Sequence, residues 1–279
     1  VSYVALTSAH NEEELLRGTL ESVLKQTIPP LVYVVVDDNS TDGTPKIISD
    51  YPVQCIKPQG ERSPQGYLNK QRAFNMGARF ASRMTDWKFM LKVDADSLLP
   101  PDYVQKLLDV MNRHPRVGMC SGVWEGGRMW VYRSSNGAIL YRRECWDELE
   151  GYDPVPAWDT HFILEAYWKG WMSLALRHIR YKELRSSERE NLWEWYKTGM
   201  ARYFQGLPLI HTIGVGVIHM KLNPPLLGGL IMILTHLLYK ICNIKKPFSG
   251  SYYKFANLFG KMELVLRVRY LLGGMVEYR

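Results

Sequence analysis

The feature that most constrains this chain is a pair of apolar runs that each break off into carboxylates. Val32 to Val36 reads VYVVV and ends in Asp37-Asp38, followed by Asn39, Ser40, Thr41, Asp42, Gly43 and Thr44. Phe89 to Val93 ends in Asp94-Ala95-Asp96, then Leu98-Leu99 and Pro100-Pro101. Apolar residues at consecutive positions make a strand buried on both faces, as in a parallel sheet. The prolines stop a strand and suit the first turn of a helix. In open α/β sheets, ligands bind just beyond the carboxyl ends of the strands. Strands that end in acids therefore put carboxylate oxygens where a ligand sits. Asp94 and Asp96 are two apart and point to one face of a regular strand. Hard cations such as Mg²⁺ and Mn²⁺ take such oxygens, commonly together with substrate phosphates. An Asp-x-Asp alone equally fits turn chemistry, so its weight comes from its surroundings.

Taken in order, Tyr3 to Leu6 predicts a strand, and Thr7, Ser8, His10 and Asn11 a polar break. An amphipathic helix follows from Glu12 to about Gln26, with Leu15, Leu16, Leu20, Val23 and Leu24 at helical spacing. Glu12, Glu13 and Glu14 fall in its first turn, where the helix dipole favours anions. Thr41 to Thr44 suit the cap of a helix beginning near Pro45. Val53 to Lys57 is a short strand. A basic helix runs from about Leu68 to Met84, with Lys70 and Arg72 near the end that would meet a phosphate. After the second acidic strand, Tyr103–Arg113 is helical and Val117–Gly122 a strand. Ala138–Tyr141 is a further strand, Glu144–Leu149 a short helix and Gly151–Ala157 a loop. That loop delivers Trp158-Asp159 to a helix over Thr160–Lys169, where Asp159 suits a helix cap. Alternating strands and helices predict a doubly wound, mostly parallel sheet flanked by helices. Neither a G-x-G-x-x-G nor a phosphate-binding G-x-x-x-x-G-K-[ST] is present.

Net charge is +7 with pI about 9.1. That fits phosphate-bearing ligands, an anionic membrane surface or nucleic acid, although no nucleic-acid recognition motif is present. Cys55, Cys120, Cys145 and Cys242 are scattered, which argues against a zinc site or a disulfide framework and suits a reducing compartment. Val1 to Leu6 opens directly as a strand, so no signal peptide is expected.

Over residues 1 to about 205 the chain resembles a family 2 glycosyltransferase of the GT-A fold. Five stretches carry the likeness: the opening strand with TSAHNEE, VVVDDNSTDGT, the segment Asn69 to Gly77 with Lys70, Asn75 and Gly77, VDADS, and WDTHFILEAYWKGW. The resemblance implies an inverting, metal-dependent transfer from a nucleoside-diphosphate sugar, UDP favoured over GDP. Thr7, Ala9, Asn11 and Glu12 would line the base and ribose, and Asp38 would hydrogen-bond the base. Lys70 would approach the diphosphate, Asp94 the ribose or sugar, and Asp96 would ligate Mn²⁺ or Mg²⁺. Asp159 would be the general base on the acceptor. Two departures stand out: Trp158 occupies a position usually held by Glu, and Leu68-Asn69 replace the glycine before Lys70. The missing Glu leaves room for a phosphate acceptor, which is already ionised. His161, just past Asp159, is a candidate third metal ligand. The rival enzyme class is a nucleotidyltransferase, against which the acidic Ser8–Glu14 stretch counts. The rival outside enzymes is a binding or scaffold protein that kept the fold.

The tail differs in character. LWEWYKTGMARYFQG is helical and aromatic. Its Trp193, Trp195, Tyr196 and Tyr203 suit either an acceptor groove or a packed interior. Leu226 to Tyr239 is apolar but shorter than the ~20 residues a spanning helix needs. Lys240, Lys245 and Lys246 follow it, a pattern suited to an anionic leaflet. The expectation is a catalytic domain over 1–190 and a helical, apolar, membrane-associated region over 191–279. It would act on a glycan or polyprenyl-phosphate acceptor at the cytoplasmic side of the membrane.

Overall fold

The structure is a computed structural model describing residues 2–127, 133–185, 192–220 and 226–271, of which the side chains of 67 and 268–271 are not described. By its contacts the chain divides into two units: 1–154 with 158–186, and 155–157 with 187–279. The boundary expected at 190 falls outside the described residues.

The first unit runs β1 (Tyr3–Ala9), α1 (Leu16–Leu24), β2 (Tyr33–Asp37), α2 (Thr44–Ser49), β3 (Gln54–Ile56), α3 (Gly66–Met84) and β4 (Phe89–Asp94). It continues with β5 (Ser97–Leu98), α4 (Tyr103–Arg113), β6 (Val117–Trp124), β7 (Ala138–Arg142), α5 (Arg143–Glu148), α6 (Trp158–Trp168) and β8 (Met172–Glu183). The strands form one sheet in the order β3-β2-β1-β4-β7-β6-β8-β5. It is mixed: four of its seven described pairings are parallel, the majority expected, and three are antiparallel. β1, β2, β3 and β4 are parallel, but β7 enters antiparallel between β4 and β6. No helix separates β6 from β7 among the described residues, and without a crossover neighbouring strands pair antiparallel. The twelve residues of β8 are a strand that sequence reading did not assign. Their burial alternates only in part, so no clean period of two marks them.

The parallel register fixes where the chemistry lies. Ser8 stands beside Asp94, and Ala9 beside Asp37. The polar ends of β1, β2 and β4 therefore meet at one edge. Leu16, Leu20 and Val23 of α1 and Leu107, Leu108 and Met111 of α4 pack with Tyr3, Val35 and Leu91 in the main core. α3 brings Ala73, Phe74 and Ala78 to a buried position. Gly77 explains itself here: a Cβ on it would lie 3.2 Å from Val36 and 3.3 Å from Leu6, a tight fit that would push those side chains away from the close approach of helix to sheet. Two residues earlier, Asn75 donates to the Tyr152 carbonyl (2.8 Å) and accepts from its amide (2.9 Å), while Gln71 donates to the same carbonyl. The motif residues Asn75 and Gly77 thus hold backbone, including the loop before α6.

The second unit contains α7 (Leu192–Phe204), α8 (Leu209–His219), α9 (Leu227–Ile241) and α10 (Gly250–Leu271). None of its described helices, nor of the first unit's, is long and apolar enough to cross a membrane. Trp195 and Tyr203 are buried, whereas Trp193 is exposed and stacks on Tyr196 at 4.9 Å. His236 is buried and shares a 2.8 Å hydrogen bond with the Thr212 hydroxyl. Burial, then the charges of Lys246 and Arg202, push its pKa down from 6.5 to about 4. A depressed histidine contributes stability above its unfolded pKa and loses it as pH falls through the folded one. Acidification from pH 6.5 to about 4 should therefore cost roughly 3 kcal/mol through this group. Urea unfolding across that range checks it. His236→Gln should flatten the dependence, and an unchanged slope would remove His236 as the cause.

Candidate active site

At the sheet edge lies a cavity of about 280 Å³ lined by Ser8, His10, Glu12, Asp38, Lys70, Asp94 and Asp96, with Arg62, Gly66, Ala95 and Arg185. Gly66 begins α3, so a helix N-terminus opens on the pocket, an arrangement that favours phosphate.

Of the residues expected to bind nucleotide, Glu12, Asp38, Lys70 and Asp94 line this cavity, and so does the expected metal ligand, Asp96. Thr7 and Ala9 do not. The Thr7 hydroxyl is buried against Tyr33 (2.9 Å), and Ala9 is fully buried. Strand alternation turns Thr7 and Ala9 inward and gives the pocket Ser8 instead. Asn11 sits at φ +54°, and its carboxamide oxygen accepts the Thr41 amide at 2.8 Å. It ties the loop after β1 to the acidic loop after β2, outside the cavity lining.

The two acids of the second strand end differ in their partners. One oxygen of Asp94 meets both Lys92 (2.7 Å) and Lys70 (3.0 Å). Burial opposes its ionisation, but the two ammonium groups hold its pKa below the ordinary carboxylate value. Burial likewise works against charged Lys70, but Asp94, aided by Asp96 and Asp159, keeps its pKa raised. Asp96 has no ion pair among the described residues. It lies within electrostatic reach of Glu12 and Glu183, whose pKa values are raised first by burial and further by Asp96. Arg185 partly offsets this at Glu12, at 2.6 Å. An unpaired carboxylate among other acids, beside phosphate-favouring groups, is a donor set that fits a hard divalent cation.

Asp38 is nearly buried, and Arg62 binds both its carboxylate (2.6 Å) and its carbonyl (2.8 Å). The His10 ring bonds the same carbonyl at 2.8 Å. Asp37, fully buried, takes Lys57 at 3.0 Å and the Ser40 amide at 2.9 Å. Asp159 is the second residue of α6, inside its first turn and not at the cap. Its charge acts on Lys70 and Lys92. Trp158 is buried, 4.3 Å ring to ring from Tyr152 and 6.2 Å from Phe74. His161 turns elsewhere: its Nε2 faces Asp153 (3.0 Å) and Glu165 (3.7 Å), one turn on along α6. It is not among the residues lining the cavity with Asp96.

Lys92, Arg62, His10 and Arg185 were missed from sequence. Lys92 left a signal, a cation inside an apolar strand. It is 1% exposed, bonds the Asn136 carbonyl, and sits 5.1 Å over the Phe74 ring and 5.9 Å over Trp158. Burial, opposed by Asp94, lowers its pKa. Removing one member of a buried ion pair strands the other. Lys92→Met should destabilise the first unit by about 3 kcal/mol, the lower end for a broken buried pair because Lys70 remains. Denaturant titration measures it, and a loss below about 1 kcal/mol would mean Lys70 alone suffices.

The strand order, the acidic sheet edge and the phosphate-favouring helix end define a GT-A type fold with a pocket suited to a phosphate-bearing ligand. Residues 5–167 match the family described as Glycosyl transferase family 2, and the chain belongs to it. Among curated relatives, it is similar to a poly-β-1,6-N-acetyl-D-glucosamine synthase of Staphylococcus epidermidis. They are 27% identical over 121 residues, 42% of this chain and 27% of that one. An uncharacterized glycosyltransferase of Nostoc sp. is 25% identical over 183 residues, 54% of this chain and 53% of that one. The chain thus spans between 27% and 53% of the length of these relatives. Among solved structures, a mannosyltransferase from Pyrobaculum calidifontis in complex with GDP-Man and Mn²⁺ matches with TM-score 0.57 and 17% identity. The match covers 96% of this chain and 86% of that one. S. aureus TarS 1–349 in complex with UDP-GlcNAc matches with TM-score 0.53 and 17% identity, over 85% and 72%. At such identities these likenesses establish the fold.

Proposed function

We propose that this chain transfers a sugar, with inversion, from a nucleoside-diphosphate sugar to an acceptor hydroxyl or phosphate. UDP is favoured over GDP as the carrier, and Mn²⁺ or Mg²⁺ is the cofactor. The acceptor is a lipid-linked glycan or a polyprenyl phosphate, met at the cytoplasmic side of the membrane. Residues 1–190 would be the catalytic domain and 191–279 the membrane-associated region. The observation that carries the reading is the unequal pairing of Asp94 and Asp96: two lysines neutralise one acid, while the other lines the pocket with no ion pair among the described residues.

Asp96 would hold the cation, with Glu12 and Glu183 in electrostatic reach. When bound, such an ion stabilises the negative charge that develops on the departing diphosphate. Lys70 and the α3 N-terminus would hold the phosphates, and Asp94, fixed by Lys92, would present its other oxygen to the ribose or sugar. Asp159 would take the proton of an acceptor hydroxyl as it attacks the anomeric carbon, and a single displacement inverts that centre. The buried Trp158 ring offers no second carboxylate beside it. That favours the phosphate acceptor, which needs little base. The donor class is supported by the nucleotide sugars named with the Pyrobaculum and TarS structures.

A thermal-shift panel of UDP, GDP, CDP, ADP and dTDP, with and without Mn²⁺, tests this. A ligand that binds only the native state raises its melting temperature by mass action. One diphosphate should stabilise the protein, and only with metal, and Asp96→Ala should erase the effect. If no nucleotide shifts the protein at any metal concentration, the reading fails.

A further inference from the structure

We propose that the outward faces of α8, α9 and α10 form a docking surface for an anionic lipid bilayer, on which the second unit lies without crossing. This rests on the reading above in one respect, in that it supplies the surface by which a lipid-linked acceptor would be met.

The starting point is a reversal of ordinary amphipathicity. A water-facing helix buries its apolar stripe and exposes polar residues. In α9 the buried positions are Gly228, Gly229, Met232, Thr235 and His236. The exposed ones are Leu227, Leu230, Leu234, Leu238 and Ile241, the last at 72%. Their spacing of three, four, four and three puts them on one stripe. In α8, His211, Thr212 and Gly216 are buried while Ile210, Ile213 and Val217 are exposed. In α10, Ala256 and Glu263 are buried while Leu258, Met262 and Val265 are exposed. α8 packs against both α9 and α10, so the stripes sit on neighbouring helices. Small residues make the inner contacts possible: a Cβ on Gly229 would lie 2.2 Å from the Gly216 carbonyl oxygen. Close crossings through small residues are how helices associate where lipid lies outside.

Charge selects the occupant. Residues 192–279 carry eleven Lys and Arg against three Asp and Glu, whereas residues 1–191 carry twenty-four against twenty-five. The chain's positive excess is thus confined to this unit. Of its acids, Glu263 is buried and paired with Arg267 at 2.6 Å. Exposed Lys240 and Lys245 follow the α9 stripe, and exposed Lys254 and Lys261 punctuate α10. A second copy would bring like charge against like charge, while an anionic leaflet brings the opposite sign. Length sets the mode. The fifteen residues of α9 rise about 22 Å, short of the ~30 Å hydrocarbon core. α10 is longer but interrupted by Lys254, Lys261, Glu263 and Arg267. Helices of this kind lie in the interface plane.

Flotation of the full chain with vesicles tests the proposal, using phosphatidylcholine alone and phosphatidylcholine mixed with phosphatidylglycerol. The chain should float only with the mixed vesicles, and less as salt rises. Leu234→Glu combined with Leu238→Glu should abolish flotation. Lys240→Glu combined with Lys245→Glu should weaken it by about thirtyfold or more. The lysine pair is fully on the surface and carries the test if the leucine pair impairs folding. Nucleotide-dependent melting on the same preparations reports the first unit separately. Loss there with flotation intact would sink the transferase reading and leave the docking surface standing. Flotation with neither vesicle overturns the surface, as does a dimer that the leucine pair converts to monomer.

Discussion

Asp96→Ala is expected to lower kcat/KM for sugar transfer by about a thousandfold or more, equivalent to roughly 4 kcal/mol of transition-state stabilisation. The expectation follows from the partners of the two acids. Asp94 is compensated from within the protein by Lys70 and Lys92, so its charge belongs to the resting architecture. Asp96 has no ion pair among the described residues and adds to the negative field that raises Glu12 and Glu183. Removing Asp96 should leave the fold intact, because nothing buried loses a partner, and should remove the metal dependence of nucleotide binding along with the activity. Nucleotide release from a donor panel at saturating Mn²⁺ gives the rate, and calorimetric titration of Mn²⁺ with diphosphate gives the binding. Activity retained within tenfold of the parent would place the cation elsewhere or show it to be dispensable.

Asp159→Asn should act on a different step. For an acceptor hydroxyl, loss of the general base should cost about 10²- to 10⁴-fold in kcat, with donor affinity nearly unchanged because Asp159 lies outside the cavity lining. For an acceptor that is already a phosphate anion, the same substitution should cost less than about tenfold, since no proton must be removed. The magnitude therefore reports the acceptor class. Measurement of kcat and KM with alcohol and phosphate acceptors separates the cases. A large rise in donor KM with little change in kcat would instead mean that Asp159 serves the donor site through its charge on Lys70.

Much of the first unit was legible in the chain. The β-branched run before Asp37 had to be an interior strand, and from Tyr33 to Asp37 it is buried at every position. The helix over Tyr103–Arg113 occurs with those bounds because its apolar spacing is unambiguous. The sheet's handed pairing was not legible. Strand direction depends on which neighbour a strand finds, and β7 finds β4 and β6 by a return that no local pattern announces. The candidate site divides in the same way. Asp38, Lys70, Asp94 and Asp96 were readable because they sit at strand and helix ends, where residue type and position coincide. The family resemblance put Thr7 and Ala9 in the pocket, but side-chain alternation turned them to the interior. His161 sits close to Asp159 in sequence, yet the helix phase aims it at Asp153 and Glu165.

By itself, then, the sequence determined the places where strands end in acid and where a helix begins beside them, because both are set by residues adjacent in the chain. Only the tertiary structure decided how the two acids differ. The lysines that neutralise Asp94 come from its own strand and from α3, and the arginine that engages Glu12 comes from beyond β8. Electrostatic character is a property of distance in space. Residues 12 and 185 form an ion pair only once the fold has brought the ends of β1 and β8 close together.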